Sequence, residues 1–407
     1  MTPASSAFPS QTSGALAGIR VMDFSQMLAG PYCTRLLADA GAEVLKIEPP
    51  GGDHIRIASP LRDGHSSYFG HLNCGKKSVC LDLKLPEAQA LIRRLVRRTD
   101  VVLENFRPGV MGRLGLDYET LRQEKPDLVF CSISGFGQSG PGAGRPAYAP
   151  IVHAASGFDL ANMKHQEGAT RPAKTSIFVA DILGGALAAS AIQTALIHRL
   201  RTGEGQRVDT ALMDGMLSLL VYDMQATQFP SERRRPIYTP VAAADGFIVV
   251  APITQANFEA LARATGHPEW LGDPRFAVTQ NRSHHWAELM ELVEQWSRTR
   301  PAAESEALID RAGCPCSRYL TLAEAMRDPQ VLYRESLAMV EDAAGEFLVA
   351  NTPYKLSATP AAAHRWVADL GQHNHEVMTG LRDMSRAEIA ALEARKVLCS
   401  AAEAVHG

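Results

Sequence analysis

The chain lacks the marks of several large functional classes. It has no excess of basic residues: its formal net charge is −3. A general nucleic-acid binder needs a basic field, so that class is set aside. No GxSxG elbow, no HExxH and no GxxxxGK[ST] loop occurs, which removes the commonest hydrolase, zinc-protease and nucleotide signatures. The seven cysteines are scattered and odd in number. Cys314-Pro315-Cys316 has no second pair at zinc-finger spacing, and His284, His285, His373 and His375 have no ligand framework, so no metal site is expected. The first 18 residues, MTPASSAFPSQTSGALAG, carry neither a basic n-region nor an apolar h-region, and the first Arg is Arg20. They read as a frayed tail, and the cysteines as reduced thiols of a cytoplasmic protein. The longest apolar run, 182–197, is interrupted by Ser190, Gln193 and Thr194 and is too short and too polar to span a bilayer, so no membrane contact is expected. Internal repeats and low-complexity tracts are absent too.

What is present is ordinary in bulk and informative in order. Apolar residues make up 46% and charged residues 21% of 407 residues, a globular composition with length enough for two lobes. GIRVMDF (18–24), EVLKIE (43–48), SVCLDLK (78–84), VVLENF (101–106) and PDLVFCSIS (126–134) read as strands. Between them, AGPYCTRLLADAGA (29–42) and PEAQALIRRLVRRTD (86–100) read as helices with Pro in the first turn. That alternation predicts a parallel, doubly wound sheet. Residues 135–150, GFGQSGPGAGRPAYAP, contain a formal GxGxxG. A dinucleotide site needs that motif to open a helix, and Pro141 and Pro146 forbid one there, so the stretch is a loop.

Further on, PSERRRPIYTP (230–240) is a polar, Pro-bounded connector. Hairpins are expected around Asp245-Gly246 and within 341–357, and helices over 255–265, 286–298 and 302–312. The C-terminal segment has no sheet of its own and should return to the first lobe. The expected fold is therefore α/β: a doubly wound, Rossmann-like large domain built from residues 1–228 and 332–407, plus a smaller α+β domain over 229–331.

The segment from Arg171 to Asp214 organises the rest. Its apolar run, rich in small residues, reads as a tightly packed helix with a basic last turn (HRLR) and Gly203 as the stop. Asp181 stands where the preceding loop becomes this helix. An Asp at that place is ordinarily just an N-cap. Free N–H groups of the first turn would keep its carboxylate ionised. Basic residues recur at the strand edges: Lys46, then Lys76 and Lys77, then Arg107 and Arg113 beside Asn105. Each alone reads as a solvated surface cation. As a set at the carboxyl edge of a doubly wound sheet they suggest a phosphorylated ligand.

Taken together, GIRVMDFSQMLAGPYCTRLLADAGAEVLKIEPPGGD, LNCGKKSVCLDLK, DVVLENFRPGVMGRLGLDYETL, VADILGG, HRLRTGEGQRVDTALMD, MRDPQV and LGQHNHEV resemble the class III CoA-transferase (CaiB/BaiF) family over almost the whole chain. That family includes formyl-CoA and carnitine CoA-transferases and α-methylacyl-CoA racemases. The resemblance implies that Asp181 is the nucleophile and that CoA passes from an acyl-CoA to a free carboxylic acid through aspartyl intermediates. Coenzyme A is then a substrate, with no permanently bound cofactor. The resemblance assigns Lys46, Lys76, Asn105, Phe106 and Arg113 to the CoA nucleotide. Backbone N–H groups near Gly184 and Gly185 would stabilise the oxyanion. It also implies a homodimer of interlocked chains. The sequence departs from the formyl-CoA branch at Leu28, where that branch has Gln, and at Ala149, where it has Glu. It departs from the racemases at Tyr148, which stands where they carry a proton-transferring His. A phenol is a poor proton acceptor near neutral pH, so transfer to a small or dicarboxylic acid is expected rather than racemisation. His153 lies off the matched position and reads as a core or loop residue.

Overall fold

A computed structural model describes residues 14–230, 238–381 and 384–400. The N-terminal tail up to residue 13 and most of the 230–240 connector lie outside the described residues. The chain divides into two units: one runs through Val221 and resumes at Tyr333, and the other is Tyr222–Leu332. The sequence reading put these boundaries after residues 228 and 331.

The first unit is built on six strands: β1 (Arg20–Asp23), β2 (Glu43–Glu48), β3 (Lys77–Cys80), β4 (Val101–Glu104), β5 (Val129–Ser134) and β6 (Arg207–Ala211). All pair in parallel, in the order β3-β2-β1-β4-β5-β6. The central strands β1, β4 and β5 are largely apolar and buried because both faces are covered. Along β1, β4 and β5 the side chains alternate between two cores. Val21, Val101, Leu103, Val129 and Cys131 face α1 (Ala29–Asp39) and the long α-helix Val179–Thr202. Met22, Val102 and Phe130 face the helix Pro86–Val96 and the C-terminal residues Met378, Ile389, Leu392 and Leu398. Helices on both faces of a parallel sheet are the α/β architecture expected from the strand–helix alternation.

In chain order the remaining helices that matter here are α2 (Ser67–Asn73), α3 (Pro86–Val96), α4 (Ala149–Ala155), α5 (Val179–Thr202) and α6 (Leu212–Leu219). Residues 135–147 form a loop, and no helix opens at the formal GxGxxG. α5 ends as expected: Gly203 takes a left-handed conformation (φ 78°) and donates its N–H to Arg199 O at 2.8 Å. At 24 residues, α5 is longer than its apolar run and by length and composition could cross a membrane. Its inner face instead belongs to the core of this unit, through Ala180, Gly184, Gly185, Ala188, Ile192 and Leu196.

In the second unit β7 (Val241–Ala242), β8 (Phe247–Val250) and β9 (Cys316–Arg318) form an antiparallel sheet, with the turn at Asp245-Gly246 as read. Helices Gln255–Thr265, Trp286–Ser297 and Ala302–Arg311 close on it around Phe258, Trp270, Phe276, Leu289 and Ile309. The second expected hairpin belongs to the first unit, where Leu337–Asp342 pairs with Gly345–Ala350, earlier than the expected 341–357. Gly345 (φ 100°) supplies the left-handed residue of the turn, and the Asp342 carboxylate accepts the Ala344 N–H at 2.9 Å, so the chain reverses there.

Candidate active site

The strand order reverses between β1 and β4, and open α/β sheets bind ligands at the carboxyl ends of such a pair. Two loops meet at that point. Asn105, just after β4, joins them: its Nδ2 donates to Gln26 O at 2.8 Å, and Gln26 N donates to its Oδ1 at 2.9 Å. Its amide is thereby engaged with the chain, so Asn105 shapes the crevice. Phe106 is half-buried, and its N–H is held by the Glu104 carboxylate at 2.7 Å. Burial pushes Glu104 up to about 7, against the hydrogen bonds from Ser132 and Phe106. Arg107 and Arg113 are exposed on the following segment, and neither guanidinium has a hydrogen-bond or ion-pair partner among the described residues.

Beneath the loops lies a buried ionic network, and it corrects the expectation for two lysines. Lys76 Nζ donates to Pro31 O (2.8 Å), Asn73 Oδ1 (2.9 Å) and Asp23 Oδ2 (3.2 Å). Lys46 Nζ donates to Ser25 O (2.8 Å) and Asp53 Oδ2 (2.9 Å). Both lysines are about 1% exposed, and their ammonium groups point away from solvent. Burial lowers Lys76 to about 8, against the pull of Asp23. Burial also opposes the Lys46 charge, but Asp53, Asp23 and Glu48 outweigh it and hold its pKa above the lysine value. The remaining oxygens of Asp23 and Asp53 are filled by Ser25, Thr34 (2.5 Å), Met27 N (3.2 Å) and Ile55 N (3.2 Å). These lysines therefore fix the loop after β1, whose Met27 sits at φ 67°, and do not face a nucleotide. Lys77, half-buried, is paired with Glu43 and Glu376, each at 2.7 Å.

Asp181 is the third residue of α5, within its first turn rather than at the cap, which is Phe178. The expectation that helix N–H groups keep it ionised does not hold. Val179 N donates to Ile177 O (3.1 Å), Ile182 N to Phe178 O (3.2 Å) and Ala180 N to His153 Nε2 (3.0 Å). No hydrogen bond to the Asp181 carboxylate is formed by the described residues. Burial raises its pKa to about 6. Gly184 and Gly185 lie in the second turn, where helix N–H groups bond carbonyls one turn back, so they are not free oxyanion donors. Their use is close packing. A Cβ on Gly185 would lie 2.4 Å from Ala29 O, and one on Gly184 2.3 Å from Leu212 Cδ2.

Two neighbours of Asp181 were not legible as site residues. Tyr68, near the start of α2, is half-buried, and burial with the charges of Asp181 and Asp53 pushes its phenol up. Its hydroxyl has no partner among the described residues. Nothing in the spacing of SSYFGHLN separates it from a packing aromatic. His153, in α4, is fully buried and acts on the start of α5. Tyr148 is 66% exposed at the N-terminus of α4, on the loop where the Arg145 guanidinium lies 4.3 Å from the Phe136 ring centroid.

The chain matches the model of CoA-transferase family III over residues 16–374. It is 37% identical over 396 residues to the succinyl-CoA–D-citramalate CoA-transferase of Chloroflexus aurantiacus, covering 94% of this chain and 98% of that protein. It is 36% identical over 397 residues to the succinate–glutarate CoA-transferase of Agrobacterium fabrum, covering 91% and 96%. Among solved structures, a CAIB/BAIF family protein from Brucella suis superposes with a TM-score of 0.79 at 31% identity, over 91% of this chain and 100% of that one. Agreement that runs end to end in both sequence and fold makes this chain a member of CoA-transferase family III, and an enzyme of that class.

Proposed function

We propose that the enzyme moves CoA from an acyl-CoA donor to a free, small or dicarboxylic acid through covalent intermediates on Asp181. The observation that carries this is a half-buried carboxylate in the first turn of α5 with no hydrogen bond to blunt it. An Asp181 oxygen attacks the thioester carbonyl, and the C–S bond breaks to give a mixed anhydride and CoA thiolate. The thiolate attacks the aspartyl carbonyl and expels the donor acid, leaving an aspartyl-CoA thioester. The acceptor carboxylate then displaces the thiolate from the aspartyl carbon. The thiolate attacks the acceptor's carbonyl, and Asp181 leaves as a carboxylate. No proton is gained or lost, and each bond broken is matched by one formed. Splitting the transfer in this way lowers each barrier. The Asp181 N–H, which has no acceptor among the described residues, and the Tyr68 hydroxyl are the donors that support the tetrahedral oxyanions.

Arg113, exposed and without a partner among the described residues, remains free for a CoA phosphate where Lys46 and Lys76 do not, with Phe106 and Asn105 forming the crevice wall. Both named relatives act on dicarboxylic acids, which supports that acceptor class here. Tyr148 offers an exposed hydroxyl for the acceptor. Exposed apolar side chains on α5 support a homodimer, interlocked as the family resemblance implies; the scattered cysteines, all free, fit a reducing cytoplasm. The test runs the enzyme in deuterium oxide with a 2-methylacyl-CoA, and separately with succinyl-CoA plus a panel of free acids. CoA exchange among short and dicarboxylic acids without deuterium uptake at Cα is expected. Rapid uptake without exchange would make the enzyme a racemase.

A further inference from the structure

An acid at the third position of a helix ordinarily turns back on the free N–H groups of the first turn, as in a capping box. Asp181 does not, and one of those first-turn donors is taken by a side chain from another helix. The Ala180 N–H is held at 3.0 Å by Nε2 of His153, whose ring comes from α4 and is fully buried. Phe178, the N-cap residue, has no side-chain acceptor to offer, and the Val179 N–H turns to Ile177 O. His153 Nε2 can accept only if it carries no proton, so the proton is on Nδ1, which is buried and without a partner. The Phe158 ring packs against the imidazole with centroids 5.5 Å apart.

We propose that His153 is a positioning residue: by capping α5 through Ala180 it withholds that N–H from Asp181 and leaves the carboxylate free to attack. This rests on Asp181 being the nucleophile. Among acidic groups on the elements packed against α4 (Asp181 of α5, Asp159 of the 158–163 helix and Asp214 of α6), Asp159 is the one whose charge favours the protonated His153 ring. Burial outweighs it and holds the imidazole below the usual histidine pKa, hence neutral at working pH. Tyr68 is the titratable neighbour of Asp181 itself.

Without His153 the Ala180 N–H is orphaned and free to turn to the carboxylate of Asp181, the next residue. A carboxylate that accepts an N–H bond has a lower pKa and is a weaker nucleophile. The experiment compares His153→Leu, which fills the space but accepts no bond, with His153→Gln, whose amide oxygen can. Turnover and the acid limb of kcat/KM against pH are measured for each, with His153→Ala as a second acceptor-free variant. His153→Leu is expected to lower kcat tenfold or more and to move the acid limb down by about one pH unit, as a new hydrogen bond would. His153→Gln should restore both. An unmoved limb in both acceptor-free variants, or a Gln variant as impaired as Leu, overturns the inference. Wild-type enzyme is incubated in parallel with acyl-CoA and hydroxylamine. Absence of modification at Asp181 there would instead overturn the nucleophile reading beneath it.

Discussion

At Asp181 two effects oppose each other. A helix N-terminus favours the ionised carboxylate, and burial disfavours it. Burial wins because no N–H among the described residues bonds the carboxylate, and the pKa rises to about 6. In the proposed mechanism the ionised form attacks, so kcat/KM should rise with pH through about 6 and then level, falling roughly tenfold per unit on the acid side. A profile flat down to pH 4.5 would contradict that environment. The basic residues separate by the same test of surroundings. Lys76→Met leaves the Asp23 carboxylate buried without its ammonium and should destabilise by about 3–5 kcal/mol in urea unfolding. Arg113→Ala should leave stability nearly unchanged and raise KM for acyl-CoA more than it lowers kcat. The sequence singled out Asp181 as the proposed nucleophile through its matched motif. It did not make side-chain direction legible: a lysine before a strand reads as a surface cation, and only the fold brings Asp23 of β1 to Lys76. The raised pKa was hidden for a related reason, since it comes from burial of the side chain, which the packing of the fold sets and the local sequence does not.

The elements followed from pattern wherever apolar runs were bounded by strong punctuation. The parallel strands, the Pro-started α3 and the Gly-stopped α5 lie where the sequence put them. The 337–350 hairpin was misplaced because its turn contains two alanines, which signal nothing, and only Gly345 marks it. α5 also carries an element-scale test. Gly185 meets the Ala29 backbone, which cannot rotate away, whereas Gly184 meets the flexible end of Leu212. Gly185→Val should therefore lower the thermal midpoint strongly, by an overpacking cost of about 1–3 kcal/mol or more, and reduce turnover by displacing Asp181. Gly184→Ala should be the milder change on both measures. Equal effects would mean that the contact between α5 and α1 is looser than the structure shows.

For the whole molecule, Ile182, Leu187, Ile197 and Leu200 stand 39–78% exposed along the outer face of α5. A stripe of that kind on one helix marks an interaction surface. In the sequence it is invisible, because inner and outer faces of α5 merge into one apolar run; only the family resemblance pointed to a dimer. Light scattering at micromolar concentration should return the mass of two chains, and Leu200→Asp should shift the balance toward one. A stable wild-type monomer would contradict the dimer.

The covalent step at Asp181 is tested most directly by intact-peptide mass spectrometry. Enzyme is incubated with succinyl-CoA in the presence of hydroxylamine, digested and mapped. The mechanism predicts conversion of the Asp181 side chain to its hydroxamate, dependent on acyl-CoA and absent from Asp181→Asn, which should also lose CoA exchange. An unmodified Asp181 during active turnover, or exchange within a few-fold of wild type in Asp181→Asn, would contradict it.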